Sequence, residues 1–317
     1  YSGHFDNLWN DGGSIDIQTD ESNNEFLQEI QKKLWIHATP DPYKIYVRVL
    51  HELYAKVEDE DVSSPDSITG GKFKNLKYQL DAIREGMDCI DKNNGVIVAD
   101  VVGLGKSIIA SAIAHNLDMT TVIIAPPHLK TQWEDYVGRF RIPGAIVESS
   151  GKIKHLHDRY AKYGQPVLYI LDEAHRYRNE LTDDYQLLHQ LTRSHIDNKV
   201  MLLTATPYNN RPQDLFALVK LFQTPSRSTI NSVDNLGLRF HDLIAEYRKL
   251  EKVGKKNMTV EIEEKLKKLS QELRLLIDPD VIRRSRIDLK EIKEYEYDLK
   301  ITGISFPAMT GPHLIQY

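Results

Sequence analysis

Five short apolar runs, rich in β-branched residues, recur along the middle of the chain: GVIVAD (95–100), TTVIIAPP (120–127), GAIVES (144–149), VLYILD (167–172) and KVMLLTATP (199–207). Each is followed by a polar stretch with helical spacing. Near-continuous apolar runs of this length suit strands buried on both faces, and their alternation with helices predicts a doubly wound α/β fold with a parallel sheet. Such sheets bind ligands beyond the carboxyl ends of their strands. The informative polar strings lie there, after GVIVA, VLYIL and KVMLL.

The flanks read differently. NEFLQEIQKKLWI (24–36) has helical spacing, and DPYKIYVRVLHELYAKV (41–57) opens on Asp41 as a cap and Pro42 as first helical residue. The acidic, turn-rich VEDEDVSSPDS reads as a linker. Beyond Gln223 the strand pattern stops. Ile262, Leu266, Leu269, Leu273 and Leu276 recur at spacings of four and three, which predicts an antiparallel helical hairpin over 238–277 with its Lys and Glu in solvent. The expected division is an N-terminal helical segment with linker (1–70), an α/β lobe (71–225), a hairpin with a basic segment (226–296) and a connector (297–317).

Composition narrows the class without naming it. The 317 residues are 41% hydrophobic and 27% charged, an ordinary globular balance. A net charge of -5 gives no global pull toward nucleic acid, so such binding needs a local basic patch. Cys89 is the single cysteine, which excludes an internal disulfide and fits a reducing, cytoplasmic compartment. No run approaches the length of a membrane span, so no membrane partner is expected. The chain opens without methionine, on a polar string that is no signal peptide, and a fragment of something longer is expected.

The chemistry starts at DVVGLGKS (100–107). It ends like a phosphate-binding loop but has Asp100 where the common pattern has glycine. GVIVA supplies the strand, Gly103 and Gly105 the turn, and KSIIASAIAHNL the helix whose free N–H groups face an anion. Val102, Gly103, Leu104, Gly105, Lys106 and Ser107 would cradle the phosphates of ATP, with Lys106 reaching the outer ones and Ser107 holding Mg2+. Asp100 would repel phosphate, so its carboxylate is expected to turn aside and cap backbone N–H groups. In LDEAH (171–175), Asp172 is placed to hold the magnesium and Glu173 to orient the attacking water. The two strings are expected at adjacent strand ends, forming one magnesium–triphosphate site.

In order, LKYQLDA (76–82), DVVGLGKS, IIAPPHLKTQWEDY (123–136), LDEAHRYRN (171–179) and LLTATPYNNRPQDLFAL (202–218) resemble the Q-type motif and motifs I, Ia, II and III of superfamily-two helicases and translocases. They look most like Swi/Snf-type DNA translocases, in which the motor loop begins with Asp and motif Ia ends in Gln-Trp. The resemblance implies a first RecA-like P-loop NTPase lobe that binds and hydrolyses ATP. It implies that Gln79 reads the adenine edge, that Tyr78 or Leu76 packs near the base, and that Thr204 and Thr206 link the ATP site to the DNA-facing surface. It also implies double-stranded DNA as a sequence-independent partner, a second RecA-like lobe, and a hairpin corresponding to the helical protrusion of such motors. Departures are Ala205 for glycine, Ser107 for threonine and Tyr208 for leucine. Lys130, Thr131 and Ser150 fall where such lobes grip phosphates, and Arg283, Arg284 and Arg286 are expected to face DNA or the lobe junction.

Other readings stand beside this one. A strand-separating helicase, or a nucleotide-gated scaffold that binds a protein and turns over little, would use the same lobe. HLKTQWED (128–135) fits the phospholipase D-type nuclease string, but that chemistry needs two copies and the chain has one. FDNLWNDG (5–12) resembles the tail after a phospholipase D-like domain in some bacterial helicase-like proteins, which would place such a domain upstream.

Overall fold

The computed structural model describes residues 62–206, 211–230, 235–255 and 259–304. The helices expected at 24–36 and 41–57, the 5–12 string and Tyr208 lie outside them. The described residues all fall within one compact unit that begins at Val62. In chain order its principal elements are α1 (Pro65–Thr69), α2 (Lys77–Asn93), β1 (Gly95–Val98), α3 (Lys106–Leu117), β2 (Thr121–Ala125) and α4 (Lys130–Phe140). There follow β3 (Ile146–Ser149), α5 (Ile153–Tyr160), β4 (Leu168–Asp172), α6 (Asp183–Thr192), β5 (Lys199–Leu203) and α7 (Pro212–Lys220). The last are α8 (Leu236–Gly254), α9 (Val260–Ile277), β6 (Val281–Ile282), α10 (Asp288–Glu291) and α11 (Lys293–Thr302).

The strands form one six-stranded sheet in the order β3-β2-β4-β5-β1-β6, and every pairing is parallel. All five predicted apolar runs are strands. Because side chains alternate across a strand, each run divides between two cores. Ile97, Val122, Ile124, Tyr169, Leu171, Val200 and Leu202 face one side with α5, α6 and α7. Val96, Val98, Ile123, Ile170, Met201 and Leu203 face the other with α2, α3 and α4. This burial on both faces explains why the strands read as continuous rather than alternating apolar runs.

The expected division of the chain differs from the observed one at both ends of the lobe. Residues 65–69, assigned to a linker, form a capped helix with Ile68 in the sheet's core. The hairpin is a real pair of helices, and Arg239 near the start of α8 pairs with Glu272 near the end of α9, as antiparallel packing requires. Its stripe, however, is graded. Leu269, Leu273 and Leu276 are buried together with α8's Leu236, Phe240 and Leu243 in the lobe's own core, whereas Ile262 and Leu266 are half-buried. The basic segment after it contributes β6 to the sheet edge. Spacing alone could not show this, because a two-residue strand has no period.

Candidate active site

The phosphate loop leaves β1 and is braced from the sheet edge. Ala99 N–H donates to the Ile282 carbonyl at 2.7 Å and Val101 N–H to the Arg284 carbonyl at 3.1 Å. Gly103 and Gly105 have φ of 90° and 87°, a region costly for residues with a Cβ. Gly105 caps α3, and a Cβ there would come within 2.5 Å of Gln79 Nε2. Lys106 Nζ donates to the Asp100 carbonyl at 2.8 Å. Burial lowers the Lys106 pKa, while the charges of Asp100, Glu173 and Asp172 act in the opposite direction. The lysine of one motif and both acids of the other therefore share one electrostatic neighbourhood.

Asp100 behaves as its position demanded. It is fully buried, turned aside, and its Oδ1 accepts the Arg284 N–H at 2.7 Å. Burial raises its pKa to about 6, with the Arg284 charge and hydrogen bond opposing the shift. The Arg284 guanidinium lies 3.0 Å from Glu85 Oε2 and is 9% exposed. This corrects the DNA-facing half of the expectation for that arginine. Arg284 sits beneath the loop rather than on a DNA-facing surface, because the segment carrying it is strand-paired to the loop backbone. Arg283 is exposed, and Arg286 Nη2 lies 3.6 Å from where a Cβ on Gly103 would stand.

The residues expected around the base are placed differently. Tyr78 is 2% exposed and Leu76 is 7% exposed. Both pack under the loop with Leu104, Leu289, Tyr295 and Leu299. The Tyr78 hydroxyl donates to the Leu104 carbonyl at 3.2 Å, and Gln79 Nε2 reaches the same carbonyl at 3.2 Å. Tyr78 and Leu76 are thus loop supports in this structure, and Gln79 is hooked to the loop. Leu104 contributes a buried side chain, whereas Val102 is 68% exposed. Sequence reasoning missed α11, which clamps this region: Lys77 N–H donates to Asp298 at 2.8 Å and the Tyr295 hydroxyl to Asp81 at 3.1 Å.

At the end of β4, Asp172 is buried. Its Oδ1 accepts Glu173 N–H at 2.9 Å and its Oδ2 accepts the indole N–H of Trp133 at 2.9 Å. Glu173 itself has φ 51° and ψ 47°, a left-handed conformation that costs a non-glycine residue about 1–2 kcal/mol. Its Oε2 is 3.1 Å from His175 Nδ1. β1 and β4 are not adjacent as expected, since β5 lies between them. The end of β5 supplies Thr204, which is buried and whose hydroxyl accepts Thr206 N–H at 3.2 Å. Ser107, in the first turn of α3, is half-buried. Trp133 carried a signal in the sequence, the Gln-Trp of motif Ia, but nothing there linked it to Asp172.

Of the presumed DNA-gripping residues, Thr131 is exposed. Lys130 is ion-paired to Glu148 at 3.5 Å. Ser150 is largely buried, at 8% exposed, in the short turn before α5. A hydroxyl, a carboxylate and incoming phosphate oxygens make a hard, oxygen-only set that suits Mg2+. Among the described residues no group of three or more His, Cys, Asp or Glu could hold a metal ion unaided.

A parallel sheet with a glycine loop and acids at the carboxyl ends of its strands defines a RecA-like P-loop lobe. The chain matches the SNF2-related domain over residues 152–296. It is 31% identical over 172 residues, 48% of the chain and 30% of the relative, to the uncharacterized ATP-dependent helicase YqhH of Bacillus subtilis (strain 168). It is 26% identical over 277 residues, covering 78% of the chain and 23% of the relative, to the probable ATP-dependent DNA helicase CHR12 of Arabidopsis thaliana. The chain thus spans less than a third of these curated relatives. The SWI2/SNF2 ATPase core of Sulfolobus solfataricus, solved in complex with dsDNA, aligns with a TM-score of 0.51 at 19% identity, over 71% of this chain and 47% of that one. That likeness confirms the fold. Among the described residues no helix is long and apolar enough to cross a membrane.

Proposed function

We propose that this chain is the first lobe of an ATP-driven motor on double-stranded DNA, hydrolysing ATP with Mg2+. The observation that carries the proposal is the placement of the glycine loop with Lys106 after β1, and of Asp172 and Glu173 at the end of β4, on the same carboxyl edge of one parallel sheet. The loop N–H groups and Lys106 bind and orient the phosphates. Ser107 and Asp172 would hold the magnesium, which neutralises charge on the phosphoryl group being transferred. Glu173, aimed by its left-handed backbone, orients the attacking water, and Gln79, which the resemblance assigns to the adenine edge, is anchored to the loop through the Leu104 carbonyl. The relatives named for ATP-dependent helicase activity support this reading.

DNA enters through the same relatives and through the exposed first turn of α4, where Thr131 would contact backbone phosphates. Such contacts carry no sequence information, so duplex affinity should be sequence-independent and fall steeply with salt. A second RecA-like lobe would supply arginines to the phosphates from the opposite side of the cleft. Adding it should raise turnover by about 10³–10⁵, the worth of such an arginine in related phosphate-loop enzymes.

The deciding experiment measures ATPase rate with and without duplex DNA in the motor containing both lobes, with triplex displacement and strand separation run in parallel. DNA-stimulated hydrolysis with triplex displacement and no strand separation is the expected result. Strand separation would make it a helicase, and negligible turnover a nucleotide-gated scaffold. Lys106→Ala should lose triphosphate binding while keeping its thermal transition, because the residue opens α3, where alanine suits the helix. Tight binding of a fluorescent ATP analogue by that variant would refute the site.

A further inference from the structure

Asp172 has both carboxylate oxygens engaged by donors from its own lobe. The backbone N–H of Glu173 takes Oδ1, and the Trp133 indole takes Oδ2. An indole N–H donates and cannot accept, so this bond has only one sense. Donors on both oxygens fix the plane of the carboxylate and leave the remaining lone pairs pointing in set directions. Trp133 is 1% exposed and packs on Tyr136 with ring centroids 6.0 Å apart. It closes the first turn of α4, two residues after exposed Thr131 and three after Lys130, which is paired to Glu148. The helix that starts at the mouth of the sheet thus holds the acid at the bottom of the site.

We infer that Trp133 is a positioning residue for the divalent cation that accompanies the nucleotide. Its indole sets the rotation of the Asp172 carboxylate. A packing role alone would be met by any aromatic ring. A positioning role needs the N–H, because donors to a ligating carboxylate tune its affinity for the metal. The inference rests on the nucleotide reading above and concerns only how Asp172 is presented.

The test is Trp133→Phe in the 317-residue chain, with a fluorescent ATP analogue titrated in EDTA and then against Mg2+. Loss of the indole N–H should raise the Mg2+ concentration for half-maximal effect about 10–100-fold, while affinity in EDTA stays within about twofold. Tyr136→Leu, which disturbs the aromatic packing and leaves the N–H in place, should keep the wild-type Mg2+ dependence. Equal Mg2+ dependence in wild type and Trp133→Phe overturns the inference, as does a matching loss in Tyr136→Leu. If Trp133→Phe does not fold, the test moves to the Trp9→Phe, Trp35→Phe chain, in which Trp133 is the sole tryptophan. Its indole N–H resonance should shift when Mg2+ is added to the nucleotide-saturated protein, and an unmoved resonance overturns the inference. Wild-type chain that binds no analogue at all refutes the nucleotide reading, and the inference with it.

Discussion

The mouth of the sheet and the α8–α9 hairpin use polar residues in opposite ways. At the mouth, Gln79, Asp100, Asp172 and Thr204 are buried, and each has a hydrogen-bond partner. On the hairpin, Lys and Glu point outward, and pairs such as Lys265–Glu261 lie in solvent, where an i,i+4 pair is worth only a few tenths of a kcal/mol. Removing a partner at the mouth strands a buried polar group, which costs about 1–3 kcal/mol or more for a charged one. The same change on the hairpin returns both groups to water. Polar residues therefore carry the chemistry at one end, and at the other end apolar residues carry the attachment.

The sharpest contrast is expected from Glu173→Gln in the motor proposed above. On that proposal it should bind ATP with Mg2+ as before yet lose about 10²–10⁴ in kcat, since it removes the group assigned to orient water and little else. Unchanged turnover would mean that another residue does that work. Next comes Leu273→Ala at the base of the hairpin, where the side chain lies in the lobe's core. It should cost about 2–3 kcal/mol in denaturant unfolding. A loss confined to the hairpin, with the sheet's transition unmoved, would restore the hairpin as a separate domain.

A smaller effect is expected from the buried acids that take no part in the chemistry. Asp280 is fully buried with Asn93 donating to it at 2.6 Å, and burial raises its pKa to about 7. Asp280 and Asp100 both hold a proton more tightly in the folded chain than in the unfolded one. Their contribution to stability is therefore full below the unfolded carboxylate range, about pH 4, and is lost as pH rises through about 6 and about 7. Asp280→Asn should flatten the fall in melting temperature between pH 5 and pH 8 and raise stability at the upper end by about 1–2 kcal/mol. An unchanged pH profile would show that Asp280 titrates normally. The smallest effect is Lys265→Ala, whose denaturant midpoint should match that of wild type in the same unfolding measurement. A clear fall in that midpoint would erase the distinction between the two regions.

The five apolar runs, the glycine loop and the acids after β4 were legible because each depends on residues close in sequence. A strand needs apolar neighbours, a phosphate loop needs glycine at fixed offsets, and a helix start needs its cap. The graded hairpin stripe was legible as a helix but not as an attachment, since the spacing of Leu269 and Leu273 does not say what covers them. The remaining features join residues far apart in the chain. The insertion of β5 between β1 and β4, the pairing of Arg284 with Asp100, the bond from Trp133 to Asp172 and the burial of Tyr78 under Leu104 all depend on which elements become neighbours. Local pattern specifies what each element is. Burying two sheet faces at once decides who its neighbours are, and here those neighbours aim the site.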